Sequence, residues 1–235
     1  MSTLICRPRL RRANDRLVVV RDRRWPAKGV RLSVQFLDTP PLDLRARILR
    51  HMNAWSASAN VTFTETRGTG KVRIARLDAP EDMAGYWSWV GTEILDVPKD
   101  EPTLNLEGFT MRTPDSEFRR VVRHEAGHTL GFEHEHMRGE LVQRIDRRKA
   151  FAFFAKDQGW TRKDVEEQVL TPLSKRSVMG TTEADPHSVM CYHVPAAITK
   201  NGKAIRGGND INARDFAFAA SVYPKKGGRR SEVGG

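Results

Sequence analysis

The run His124-Glu125-Ala126-Gly127-His128-Thr129-Leu130-Gly131-Phe132-Glu133-His134 constrains this chain more than any other stretch. Histidines four apart on an α-helix differ by about 400° of rotation, so both imidazoles fall within roughly 40° of one face and can reach a single ion. Glu125 projects about 100° away on the same turn, beside that ion without ligating it. Gly131 lets the chain leave the helix with positive φ, so that His134 can return to the same ion. Three neutral imidazoles with one open position describe catalytic zinc, because structural zinc fills all four positions, usually with thiolates. One Zn2+ per chain is therefore expected on His124, His128 and His134, with Glu125 placed as general base toward a metal-activated water. A bare H-E-x-x-H is only a moderate signal. Gly131 and His134 at the required offsets each cut the coincidence roughly twentyfold. His51, His136, His187 and His193 are read as surface residues or neighbours of the ligands.

The rest of the chain must supply a frame for that site. With 235 residues, 39% hydrophobic and 29% charged, it has the length of one domain or two small ones and enough apolar mass for a core, which excludes disorder throughout. No stretch approaches the roughly 18 apolar residues of a membrane span, and the start MSTLICRPRLRRANDRL carries arginines where a signal peptide would be apolar. A cytoplasmic protein, or export by a non-Sec route, is expected. Cys6 and Cys191 cannot build a disulfide framework. Of the net charge of +11, residues 1–31 contribute ten basic and two acidic side chains, and the tail from Lys225 four basic and one acidic; residues 32–224 hold 26 of each sign. A neutral body excludes sequence-specific nucleic-acid binding by bulk charge and leaves the basic ends as solvated arms or contacts for an acidic partner.

Val30–Leu37 alternates apolar and polar residues and reads as a strand. Leu42, Leu44, Ile48, Leu49, Met52 and Trp55 give the stripe of a helix beginning near Asp43. Further strands are expected at 61–64, 72–75 and 103–106, with a rim strand in Gly85-Tyr86-Trp87-Ser88-Trp89-Val90-Gly91. Thr113 as N-cap, Pro114 at the first position and Asp115 and Glu117 in the first turn predict a helix that carries Phe118, Val121 and Val122 into the core and runs into His124. Helices are also expected at 145–158, 161–169 and 212–222, the last presenting Phe216, Phe218 and Val222 before Pro224, with 172–196 rich in turns. These elements describe one α+β domain in two halves, divided near residue 134.

The pattern H-E-x-x-H-x-x-G-x-x-H, followed by Ser188-Val189-Met190-Cys191-Tyr192 as a Met-turn, resembles the metzincin metalloproteases. Within that clan the chain most resembles the astacin family: Arg24-Trp25-Pro26 with Gly29 before a strand, Trp87-Ser88-Trp89-Val90-Gly91, His134-Glu135 with Arg138, and a Tyr two residues past the Met. The likeness spans about residues 24–223 and implies a zinc endopeptidase domain over 24–224, between a basic arm (1–23) and a basic tail (225–235). It implies a five-stranded mixed sheet with backing helices above the active-site helix, and a loop-rich C-terminal half with a closing helix.

By the same resemblance, Glu125 is the general base and later acid, and Met190 floors the histidines. Tyr192 matches a tyrosine that serves as a further zinc ligand in the resting site and swings away to hydrogen-bond the transition state; packing beside Met190 is its other reading. Glu135 matches a glutamate that receives a mature N-terminal amine, and Trp87, Ser88, Trp89, Val90 and Gly91 match the edge on which an extended protein or peptide substrate lies. Cys6 is a candidate latch on the open zinc position, with Asp15 and Asp22 as alternatives. The chain departs from the family at Tyr86 and Cys191, where a Cys and a His are usual, and lacks the customary disulfides. A monomer is expected. The alternatives to a peptidase are a zinc amidase or deacetylase on a non-protein substrate, and an idle zinc domain that binds through its basic arms.

Overall fold

In a computed structural model, residues 23–76, 85–172 and 183–225 are described. The alternating segment forms β1 (Val30–Phe36), burying Val30, Leu32, Val34 and Phe36 on one face. It pairs in parallel with β2 (Val61–Glu65) and β3 (Val72–Ala75), bringing Val34 opposite both Glu65 and Val72. β4 (Tyr86–Ser88) runs antiparallel to β5 (Leu104–Leu106), and β5 lies parallel to β3. The order β2-β1-β3-β5-β4 is the five-stranded mixed sheet that the resemblance implied.

Helix α1 (Leu42–Met52) backs this sheet with Leu44, Ile48 and Met52, and the following 3-10 turn adds Trp55. Leu42, expected in the stripe, is 69% exposed because it is the first helical residue, beyond the edge of the covered face. The second helical run combines α2 (Asp115–Glu117), a π-turn (Phe118–Val122) and α3 (Arg123–Thr129). Phe118, Val121 and Val122 are buried as expected. Its N-terminus differs from expectation. The Thr113 hydroxyl accepts the Thr110 N–H (3.0 Å) instead of capping, and Pro114, at ψ 147°, is the residue just outside the helix.

In the second half, α4 (Gly139–Val142) precedes α5 (Arg147–Gln158), which starts two residues later than expected. Ile145 is held in an isolated bridge to Thr199, and Asp146 caps α5 by accepting the Lys149 N–H. α6 (Arg162–Val165) opens on a Thr161/Asp164 capping box, and a π-turn (Glu166–Leu170) follows it. This half has its own core around Leu141, Ile145, Phe154, Trp160 and Ile198, separate from the sheet core. α7 (Ala213–Val222) closes the domain on an Asn212/Asp215 capping box. It buries Asp215, Ala219 and Val222, while Phe216 and Phe218 are only partly covered. Tyr223 anchors its end, donating to Leu130 O (2.5 Å). Cys6, the arm through residue 22 and the tail from Lys226 lie outside the described residues.

Candidate active site

α3 brings His124 and His128 to one face, and the turn after it returns His134. Gly131 takes φ +91°, and the Phe132 N–H reaches back to Gly127 O (3.0 Å), a wrap that a left-handed glycine at a helix end permits. The three Nε2 atoms converge: 3.1 Å between His124 and His128, 2.9 Å between His128 and His134, and 3.2 Å between His124 and His134. Tetrahedral zinc at about 2.0–2.1 Å from each nitrogen sets N···N separations of about 3.3–3.4 Å, so the triad fits that ion closely.

The other ring nitrogens set the tautomers. Nδ1 of His124 faces Val189 O and Nδ1 of His128 faces Phe132 O, both at 2.7 Å, so the protons sit on Nδ1 and the Nε2 lone pairs point inward. Burial holds all three imidazoles neutral, lowering His124 to about 4 and taking His128 and His134 well below the ordinary range, where neighbouring histidines depress them further. Among the described residues no other His, Cys, Asp or Glu joins this triad, a donor set with a position left for chemistry.

Glu125 is buried and lines one pocket with His124, Tyr86, Arg120, Tyr192 and Arg206. The Ser88 hydroxyl donates to the Glu125 carbonyl (3.1 Å), tying the outermost strand to the turn that carries Glu125. Tyr192 packs its ring 4.1 Å from that of His134 and stacks at 21° on His124. Met190 lies directly beneath the helix: a Cβ at position 127 would fall 2.5 Å from its Sδ, so any larger residue there would displace the methionine side chain under it.

No family model matches the sequence. Over 106 residues, 45% of this chain, it is 35% identical to the zinc metalloproteinase nas-27 of Caenorhabditis elegans, and the match spans 22% of that protein's length. Among solved structures, myroilysin superposes with a TM-score of 0.80 and 32% identity, covering 88% of this chain and 98% of its own. The chain belongs to the astacin-like metzincin zinc metalloproteases. The medaka (Oryzias latipes) hatching enzyme zinc-protease, high choriolytic enzyme 1, shares the fold at a TM-score of 0.56 and 16% identity, over 85% of this chain and 92% of its own.

In this astacin-like protease β4 is the edge of the sheet, but it is short. Trp87 and Ser88 are in the strand with buried side chains, Trp89 N–H still reaches Thr103 O (2.9 Å), and Val90 and Gly91 have already left the strand for a 3-10 turn. Glu135 accepts the Asp185 N–H (2.8 Å) and lies 3.6 Å from Arg138 Nε. Burial pushes its carboxyl up to about 7. Cys191 is buried in the second core, where burial raises its thiol far above the ordinary range, so it packs as a small hydrophobe.

Asp215 and Arg120 near the site carried no sequence signal of their own, and His136, read as a surface residue or a neighbour of the ligands, is the latter. Asp215, within the closing helix, accepts the Ser188 hydroxyl (2.5 Å) and the Val189 N–H (3.0 Å) and so holds the Met-turn. His136 is fully buried, with its ring 4.6 Å from that of Tyr192 and Nε2 on Gln168 O (3.0 Å). Arg120 enters the pocket while bonded through two nitrogens to Glu117. Its position one turn before His124 was the only available clue.

Proposed function

We propose that residues 24–224 act as a monomeric endopeptidase domain in which Glu125 moves the proton, Tyr192 stabilises developing charge and the outer edge of β4 aligns the substrate. The observation that carries this reading is the convergence of three Nε2 atoms at 2.9–3.2 Å in a pocket that also contains Glu125 and Tyr192. Zinc held by such a triad supplies a Lewis acid that polarises the scissile carbonyl and acidifies water. Glu125 takes a proton from the attacking water as its oxygen bonds to the carbonyl carbon, then delivers that proton to the leaving nitrogen as the C–N bond breaks. The Tyr192 hydroxyl donates to the carbonyl oxygen as it becomes an oxyanion. An extended peptide pairs with the outer edge of β4 by strand addition, next to the Ser88–Glu125 link. Among the described residues no helix is long and apolar enough to cross a membrane, and the large exposed apolar side chains, Leu42, Leu95 and Met111, lie on separate elements, in keeping with a monomer.

Digestion of a peptide library alongside a panel of small amides tests this reading. Internal peptide bonds are expected to be cut, with activity lost to a chelator and regained with zinc, and the small amides left intact. Hydrolysis of small acetamides with no internal cleavage would give the site to an amidase instead. Tyr192→Phe keeps the ring packed on His134 and deletes only the hydroxyl. Its kcat should fall on the order of 10²-fold with unchanged zinc content, as for one lost oxyanion donor. An unaltered kcat would leave Tyr192 as a packing residue.

A further inference from the structure

His134 is held differently from the other two ligands. Nδ1 of His124 and of His128 each meet a main-chain carbonyl at 2.7 Å, whereas no described protein group meets Nδ1 of His134. A ligand ring without that bond keeps its place through its packing and through the backbone on either side. On the C-terminal side, the Glu135 N–H donates to Met190 O (2.9 Å). On the N-terminal side the fixed point is Glu133, whose carboxylate accepts from Arg23 Nη1 at 3.0 Å.

Arg23 is itself seated firmly. Its Nε lies 2.8 Å from Glu93, and the side chains of all three residues are only 13–15% exposed. Its carbonyl accepts the Thr92 N–H (2.9 Å) and presses on Gly91, where a Cβ would come within 1.9 Å of the oxygen at φ +55°. A Cβ at Gly131 would meet the same oxygen at 3.3 Å. Two residues on, the Trp25 indole donates to Thr129 O (2.8 Å). The strap 23–25 thus crosses the turn that carries the chain from His128 to His134. This accounts for Gly91 without any contact to substrate.

We propose that Arg23, acting through Glu133, is a positioning residue for the third zinc ligand, so that zinc affinity depends on an N-terminal strap 110 residues away from Glu133 in sequence. This rests on the zinc-site reading. Without the guanidinium, the Glu93 and Glu133 carboxylates lose the counter-charge that they share, with little solvent to replace it, and the turn on which His134 is mounted loses its anchor. Loss of such an outer partner typically costs 10- to 100-fold in metal affinity.

The test measures zinc Kd on the full-length chain by competition with a chromophoric chelator, for wild type, Arg23→Ala, Arg23→Lys and Glu133→Gln. Arg76→Ala serves as comparator, since it breaks a 2.6 Å ion pair to Asp38 at the end of β3. Arg23→Ala is expected to weaken zinc binding about 10- to 100-fold. Arg23→Lys should recover most of the affinity, Glu133→Gln should weaken it, and Arg76→Ala should lower the melting temperature with zinc Kd unchanged. Tight zinc binding by wild type with an unaltered Kd in Arg23→Ala would overturn the strap alone, whatever happens to its melting temperature. Wild type that binds no zinc would overturn the metal site and the strap together.

Discussion

Glutamine in place of Glu125 leaves one zinc per chain and lowers kcat/KM on peptides by about 10³-fold, within the range of about 10²–10⁴ that a positioned general base supplies. The side chains have the same shape, and position 125 is buried with its carbonyl tied to Ser88, so the turn is not expected to move. His124 and His128 keep their bonds to Val189 and Phe132, and so keep the metal. What disappears is the ability to accept a proton. Elemental analysis of the purified variant beside its steady-state kinetics separates the two effects. A variant with zinc and activity within tenfold of wild type would remove Glu125 from the reaction, whereas loss of zinc would make it part of the metal site.

The convergence of the three histidines was legible because helical geometry converts a spacing of four into a common face, and because a glycine lets the chain turn back to bring a third histidine to it. Strands were legible where burial is one-sided: Val30, Leu32, Val34 and Phe36 alternate with polar neighbours, and that alternation is the strand. The π-turn at Phe118–Val122 was not legible, since a five-residue turn widens the helix without changing which residues are apolar. Thr113 was misplaced because capping preference describes a residue type, while the Thr110 N–H next to its hydroxyl is a fact of the loop. Long-range polar partners were beyond reach for the same reason: nothing in Asp215 or Arg23 distinguishes it in sequence from any other surface charge. Gly127 and Gly91 were written in the sequence, but what a side chain there would meet, a sulfur and a carbonyl oxygen, comes from distant segments.

Asp215→Ala should be the most destabilising single change near the site, lowering the melting temperature on the order of 10 °C and weakening zinc binding about 10- to 100-fold. Its carboxylate receives the Ser188 hydroxyl, the Val189 N–H and, at 3.0 Å, the Asn212 N–H that closes the α7 capping box. Alanine leaves these three donors unanswered where water has little access, at about 1–3 kcal/mol each. Burial raises the Asp215 carboxyl and so works against its charge, which offsets part of the loss, and a net cost of about 3–5 kcal/mol remains. The effect reaches the metal through a single residue. Val189 gives its N–H to Asp215 and its carbonyl to Nδ1 of His124, so a Met-turn released from α7 no longer fixes that ring. Asp215→Asn keeps one acceptor oxygen and should lie between wild type and alanine in both melting temperature and zinc Kd. If alanine lowered the melting temperature but left zinc Kd unchanged, the link from α7 through the Met-turn to His124 would be structural only, and His124 would be oriented by α3 alone.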